Sequence, residues 1–293
     1  MADGSGVSVP AFKPKLSPKG QTIRLVGWSG LFAKRTHLLP LVQGLESRGF
    51  GTQVFSLAAH DDPKFLDRLT LEECALQMAQ ELGNIARSAG GNSHFILFGH
   101  SLGAATLMGL LSALYQPQKS KWLNRYEDKI KKSFFENIIT FAPYLRGVML
   151  LAPTPPTNIR NFNFSLAWKL HRQKKAFLFD QSVLSRFLFN QHSEVQQKAI
   201  GKTLMRESPR CARHVSGAPW EFFVDPKISL QIICGEHDAL VKQSVYQKMH
   251  AQIAHSEMST LKAGDHWLIG PAFVTTTVLL MDQFVTAVLN RLK

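Results

Sequence analysis

Residues 94–111, "HFILFGHSLGAATLMGLL", place one serine between two glycines at a change of pattern. A short apolar run ends at Gly99, and a run of small and apolar residues with helical spacing follows Gly103. The first reads as a buried strand and the second as a helix. Gly99-His100-Ser101-Leu102-Gly103 therefore fits G-x-S-x-G at a strand-to-helix turn. Such a turn is tight enough to strain the serine backbone. Glycines on both sides keep the neighbouring strand and helix clear of side chains. The hydroxyl then stands above the sheet at a helix start, where backbone amides favour negative charge.

Reading outward from this stretch, short apolar runs alternate with longer helical patterns. Strands are predicted at 22–27, 52–57, 94–99, 147–153, 228–235 and 257–264. Helices are predicted at 36–49, 70–89, 102–116 and 241–253, with a last one from about 271. Thr70 and Glu73 have the spacing of a capping box. The alternation predicts an α/β chain with a mostly parallel central sheet flanked by helices. Residues 1–20 are rich in Gly, Ser, Pro and Lys and read as a flexible arm. Residues 21–153 form the first part of the core and 227–293 the second. Between them, 154–226 is helical and aromatic, with no clear strand, and reads as an inserted cap. The cap holds Phe162, Phe164, Trp168, Phe177, Phe179, Phe187, Phe189, Trp220, Phe222 and Phe223. Those not used in the cap's own core are expected to line an apolar pocket over Ser101.

A serine hydroxyl is a weak nucleophile until a base takes its proton. Of the eleven histidines, His266 in "LKAGDHWLIGP" follows the last predicted strand, on the rim that also carries Ser101. His100 adjoins Ser101 but is expected to point into the turn as a structural residue. The acid that orients His266 is expected to be Asp238, in "LQIICGEHDALV" after the penultimate strand, with Glu236 next in line. Asp265 is too close in sequence to orient its neighbour's ring, and His237 reads as a flank of the acid. The oxyanion needs two N–H donors. Leu102 at the helix start supplies one. The loop "LVGWSGLF" supplies the other, with Trp28 preferred over Ser29 and Gly27 allowing the tight backbone.

With "GHSLG", "GEHDALV" and "AGDHW" in this order, the chain resembles the α/β-hydrolase fold superfamily, in its esterase- and lipase-like serine hydrolases. The resemblance covers nearly all of 21–292. It implies Ser101 as nucleophile, Asp238 as acid and His266 as base, and a lid where 154–226 stands. Two positions depart from the pattern. Val26-Gly27 replaces a His-Gly pair after the first strand, and Val241-Lys242 stand where a proline often follows the acid.

The expected activity is hydrolysis of a carboxylic ester with a hydrophobic portion, through an acyl-enzyme. Lipase, thioesterase, lactonase or carbon–carbon bond hydrolase chemistry on the same triad is the alternative, as is a non-catalytic binding protein of this fold. No cofactor and no metal are expected, and the partner is a small-molecule ester. The 293 residues, 45% of them hydrophobic, suffice for one large core. Three widely spaced cysteines argue against a disulfide framework and favour a reducing compartment, so the expected location is cytoplasmic. The net charge of +13 comes with no zinc finger or RNA-binding signature, so nucleic acid is not an expected partner. The basic stretch 119–135 spaces Trp122, Tyr126, Ile130 and Phe134 four apart, as on one helix face. It is a candidate for weak peripheral contact with an anionic membrane. The sequence leaves the oligomeric state open.

Overall fold

The computed structural model describes residues 16, 20, 22–58, 60, 65–90, 93–159, 164–253 and 255–292. The arm predicted at 1–20 lies almost entirely outside them, as do Phe162 and the side chain of Phe164. The strands are β1 (Thr22–Trp28), β2 (Gly51–Phe55), β3 (Ser93–His100), β4 (Leu145–Leu151), β5 (Ser229–Gly235) and β6 (Ser256–Leu261). The helices of the core are α1 (Leu39–Glu46), α2 (Leu71–Ala89), α3 (Leu102–Tyr115) and α4 (Asp128–Phe141). Those of the inserted segment are α5 (Phe164–His171), α6 (Gln181–Phe187), α7 (Glu194–Thr203) and α8 (Pro209–Ala212). The chain closes with α9 (Gln243–Gln252) and α10 (Val274–Arg291).

The six strands form one sheet in the order β2-β1-β3-β4-β5-β6, and every neighbouring pair is parallel. Parallel strands need crossover helices, which cover both faces, so central strands become continuous apolar runs. β3 follows this rule: all eight of its residues are buried, and Phe95, Ile96, Leu97 and Phe98 are at most 1% exposed. Burying each such side chain contributes about 1.5–3 kcal/mol. Helices α1 and α10 pack on each other, while α2, α3 and α4 form a second group. Thr70 caps α2 by accepting from the Glu73 N–H, and the Glu73 carboxylate accepts from the Thr70 N–H in return. Gly90, at φ 58, ends that helix in the left-handed region that glycine tolerates.

The predicted helix 36–49 is shorter, because residues 35–38 form a 3-10 turn and Pro40 falls in the first turn of α1. The stretch 119–135 is not one helix. A 3-10 turn over Lys121–Arg125 stops at extended Tyr126 and Glu127, and α4 begins afresh at Asp128. Trp122 and Phe134 consequently meet edge to face, 5.6 Å between centroids, and Trp122 also packs 5.8 Å from Trp220. Both Trp122 and Phe134 are buried, so the aromatic spacing records interior packing.

Segment 154–226 contains α5 to α8 and two isolated bridges, Phe177 with Glu207 and Pro156 with Ala218. Trp220 anchors the segment's end on α3, its Nε1–H donating to Ala105 O at 2.8 Å.

Candidate active site

β3 runs straight into the elbow. Ser101 adopts φ 54, ψ −118, outside the regions open to ordinary residues. Its backbone is held from both sides: Ser101 N–H donates to Leu151 O at 2.8 Å, and Thr154 N–H donates to Ser101 O at 3.2 Å. The two glycines answer to close approach. A Cβ on Gly99 would stand 2.6 Å from backbone atoms of Ala104, and one on Gly103 would stand 2.3 Å from Ser29 O. Neither obstacle is a side chain that can swing away.

The loops after β5 and β6 bring their residues to this elbow. His266 Nδ1 lies 2.8 Å from Asp238 Oδ2, and His266 Nε2 lies 2.8 Å from Ser101 Oγ. A carboxylate only accepts, so Nδ1 carries the hydrogen and Nε2 is left to accept from the serine hydroxyl. All three side chains are buried. Asp238 also accepts from the N–H groups of Leu240 and Val241, each at 2.8 Å, and from Tyr246 O–H at 2.6 Å. Burial, followed by the Asp238 charge, pushes the Tyr246 phenol well above its usual value, so it stays a donor. Tyr246 was not singled out in the sequence; its only signal there is a tyrosine one helix turn into α9.

The competing acids have other partners. Glu236 is exposed and accepts from Ala263 N–H at 2.9 Å. Asp265 is buried and accepts from Trp267 N–H, Gln191 N–H and His192 Nδ1–H, each at 2.9 Å. It therefore ties the inserted segment to the loop of His266. His237 is exposed.

His100 does more than fill the turn. Its ring lies 5.5 Å from that of His266, and its Nε2–H donates to His266 O at 2.9 Å. Burial, then the neighbouring His266, pushes the His100 pKa down to about 3, so the ring is neutral and holds the backbone of His266.

Trp28, the expected oxyanion donor, lies at the end of a sheet strand. Trp28 ends β1 in register with Phe55 and Gly99. Ser29 N–H is spent on Phe55 O at 3.1 Å. The Trp28 indole stacks on Phe55 and donates to Glu81 Oε2 at 2.7 Å. Gly30 instead abuts the elbow: a Cβ there would meet both His100 O and Ser101 Cβ at 2.7 Å. Phe32 N–H goes to Glu207 and Ala33 N–H to Gly30 O. Among the described residues no backbone bond is found for the amides of Gly30 and Leu31, and Leu102 opens α3 directly after Ser101. The glycine that comes closest was legible as a Gly in "WSGLF"; its register against the elbow was not.

A narrow apolar cavity of about 20 Å³ lies beside these loops, between Leu31, Phe32 and Leu240 of the core and Leu166, Phe179 and Phe187 of the inserted segment. Of the cap aromatics, Phe179 and Phe187 line it, Phe189 packs on Trp267, and Trp168 is exposed. Among the described residues no cluster of side chains suited to a metal ion is found. No helix among them is long and apolar enough to cross a membrane.

No protein-family profile matches this sequence. No curated protein matches it either. Solved structures do. A lipase-esterase related protein from Clostridium acetobutylicum superposes with a TM-score of 0.65 at 15% identity, over 92% of this chain and 97% of that one. A pyrethroid hydrolase from Sphingobium faniae gives 0.61 at 15% identity, over 91% and 98%. A methylesterase from Arabidopsis gives 0.60 at 16% identity, over 90% and 99%. At such identities the likeness speaks for architecture, and it agrees with the six-stranded parallel sheet and its flanking helices: this chain has the α/β-hydrolase fold.

Proposed function

We propose that the protein is a serine hydrolase that cleaves a carboxylic ester with a hydrophobic portion, through an acyl-enzyme on Ser101. The observation that carries this reading is the unbroken chain of hydrogen bonds from Ser101 Oγ through His266 to Asp238, both links at 2.8 Å. In the proposed reaction His266 Nε2 takes the hydroxyl proton as Ser101 Oγ attacks the ester carbonyl carbon. The developing oxyanion accepts from Leu102 N–H and from the amides of Gly30 and Leu31. Each well-placed donor of this kind is worth about 3–4 kcal/mol in the transition state. As the tetrahedral adduct collapses, His266 returns the proton to the leaving alkoxide. Water then attacks the acyl group, with His266 again as base, and frees Ser101. Asp238 remains a carboxylate throughout and holds the imidazole in place.

The all-apolar lining of the neighbouring cavity supports a hydrophobic acyl or alcohol group. At about 20 Å³ it holds roughly one water, so a substrate must displace side chains of the inserted segment. The pyrethroid hydrolase and methylesterase among the structural neighbours agree with ester chemistry. The test is a panel of p-nitrophenyl esters and matched acyl thioesters, with and without prior fluorophosphonate treatment. The expected result is hydrolysis of the oxygen esters that phosphonylation of Ser101 abolishes. A preference for thioesters, or ester turnover surviving complete phosphonylation, contradicts the proposal.

A further inference from the structure

Glu207 belongs to the inserted segment, yet its carboxylate is spent on the core. Glu207 Oε2 accepts from Phe32 N–H at 3.2 Å and lies 2.9 Å from His60 Nε2, while Oε1 accepts from Ser208 N–H at 2.7 Å. Both side chains of the His60–Glu207 pair are 0% exposed. His60 Nδ1 faces Ala33 O at 3.1 Å. The His60 ring thus bridges Ala33 O and the Glu207 carboxyl group. Burying such a polar pair adds little stability, since desolvation offsets most of its attraction. What it does well is fix one geometry.

The geometry fixed here is that of Phe32. Phe32 has φ 61, in the left-handed region that a bulky residue enters only when its surroundings impose it. Three contacts impose it. Glu207 takes its N–H, Met205 N–H donates to its carbonyl at 3.0 Å, and its ring packs 5.6 Å from Phe177 and 5.8 Å from Phe179. Phe177 and Glu207 are themselves bridged by two backbone bonds, of 3.1 and 2.7 Å. Phe32 directly follows Gly30 and Leu31, and Gly30 abuts Ser101, with a Cβ there only 2.7 Å from Ser101 Cβ.

We infer that Glu207, hydrogen-bonded to His60, is a positioning residue. It locks Phe32 and thereby holds the Gly30–Leu31 amides at the distance an oxyanion requires. The inference rests on the serine-hydrolase reading of the site. It adds that the inserted segment sets reactivity as well as covering the substrate.

The experiment measures the second-order rate of Ser101 phosphonylation by a fluorophosphonate probe, whatever the natural substrate, beside kcat and KM on p-nitrophenyl butyrate per titrated active site. Glu207→Gln keeps the volume, but its amide cannot accept from all three N–H donors. The expected result is phosphonylation and kcat each slowed at least about tenfold, short of the 100- to 1,000-fold that follows outright loss of a donor, with KM within about twofold. Glu207→Asp, which keeps the charge, is expected to recover part of the loss. If Glu207→Gln does not fold, His60→Gln answers: it leaves the carboxylate a neutral donor and is expected to slow both rates by a smaller factor at unchanged KM. A folded Glu207→Gln, or His60→Gln in its place, with wild-type rates per active site overturns the inference even if its melting temperature falls. Wild-type protein that does not label on Ser101 instead overturns the reading of the site, and this inference with it.

Discussion

At the scale of single residues, the site divides into groups announced by their sequence neighbours and groups that only the fold brings in. Ser101, Asp238 and His266 each follow a strand in a short recognisable stretch, so their convergence on one rim was legible. Gly30 and Tyr246 had no such label. Their roles depend on the register of β1 against the elbow and on the face α9 turns to Asp238, neither of which a local pattern encodes. His100 reads as a structural residue from its place beside the elbow, but its neighbours say nothing of the His266 carbonyl it reaches across 166 positions. The proposed triad also predicts what happens when the acid is changed. Glu236 is turned to Ala263 N–H and cannot substitute, so Asp238→Asn is expected to lower kcat about 10,000-fold with no rescue. A residual rate within about tenfold of wild type would place the orienting acid elsewhere.

At the scale of elements, the elbow and the inserted segment carry the consequences. The pattern G-x-S-x-G gave the positions of the two glycines, and the structure supplies the obstacle each avoids. Gly103→Ala places a methyl group 2.3 Å from Ser29 O, so the loop after β1, to which the proposed oxyanion donors belong, must shift. Overpacking of this kind costs about 1–3 kcal/mol. The expected outcome is a lower melting temperature together with a fall in kcat of more than tenfold; unchanged kcat would mean that loop position is irrelevant. The stretch 119–135 is two pieces rather than the one helix its spacing predicts, because a four-residue aromatic spacing cannot distinguish a continuous helix from two pieces folded together. Tyr126 and Glu127, both extended, make the break. In the inserted segment, Phe179 and Phe187 line the cavity and are the residues expected to read acyl length. Phe187→Ala should change the ratio of rates on p-nitrophenyl octanoate and acetate, while Lys129→Ala, on exposed α4 surface, should leave it unchanged. If Phe187→Ala lowered both rates by one factor, the ring would serve stability alone.

At the scale of the whole molecule, the alternation of apolar runs and helical patterns was enough to read a parallel sheet, because strands buried on both faces become continuous apolar segments. Strand order was not legible, since it is set by which crossovers pack together rather than by any one segment. Buried and half-buried histidines couple the fold to pH. Burial lowers the pKa values of His37 and His214, and it holds that of His100 near 3 against an ordinary 6.5. Between these limits the unfolded chain binds a proton at His100 that the folded chain does not. Stability therefore rises with pH across that window and falls as pH drops from 6.5 toward 3, by about 1.4 kcal/mol per pH unit for this group. His100→Gln keeps a donor for His266 O and cannot titrate, so its melting temperature should fall less steeply between pH 6.5 and pH 4 than that of the wild type. An equal slope would show that His100 is not the group responsible.

The central claim is that Ser101 is the nucleophile of an ester hydrolase, and hydrolysis of p-nitrophenyl butyrate by Ser101→Ala tests it most directly. The variant removes one oxygen from a buried elbow and leaves both glycines in place, so its folding is checked simply by its thermal unfolding curve. A triad acts as a unit, and loss of its nucleophile typically costs about a million-fold in kcat. The expected result is a folded protein whose rate cannot be told from a mock purification, beside a wild type that turns over. A folded Ser101→Ala that hydrolyses the ester at the wild-type rate would contradict the account.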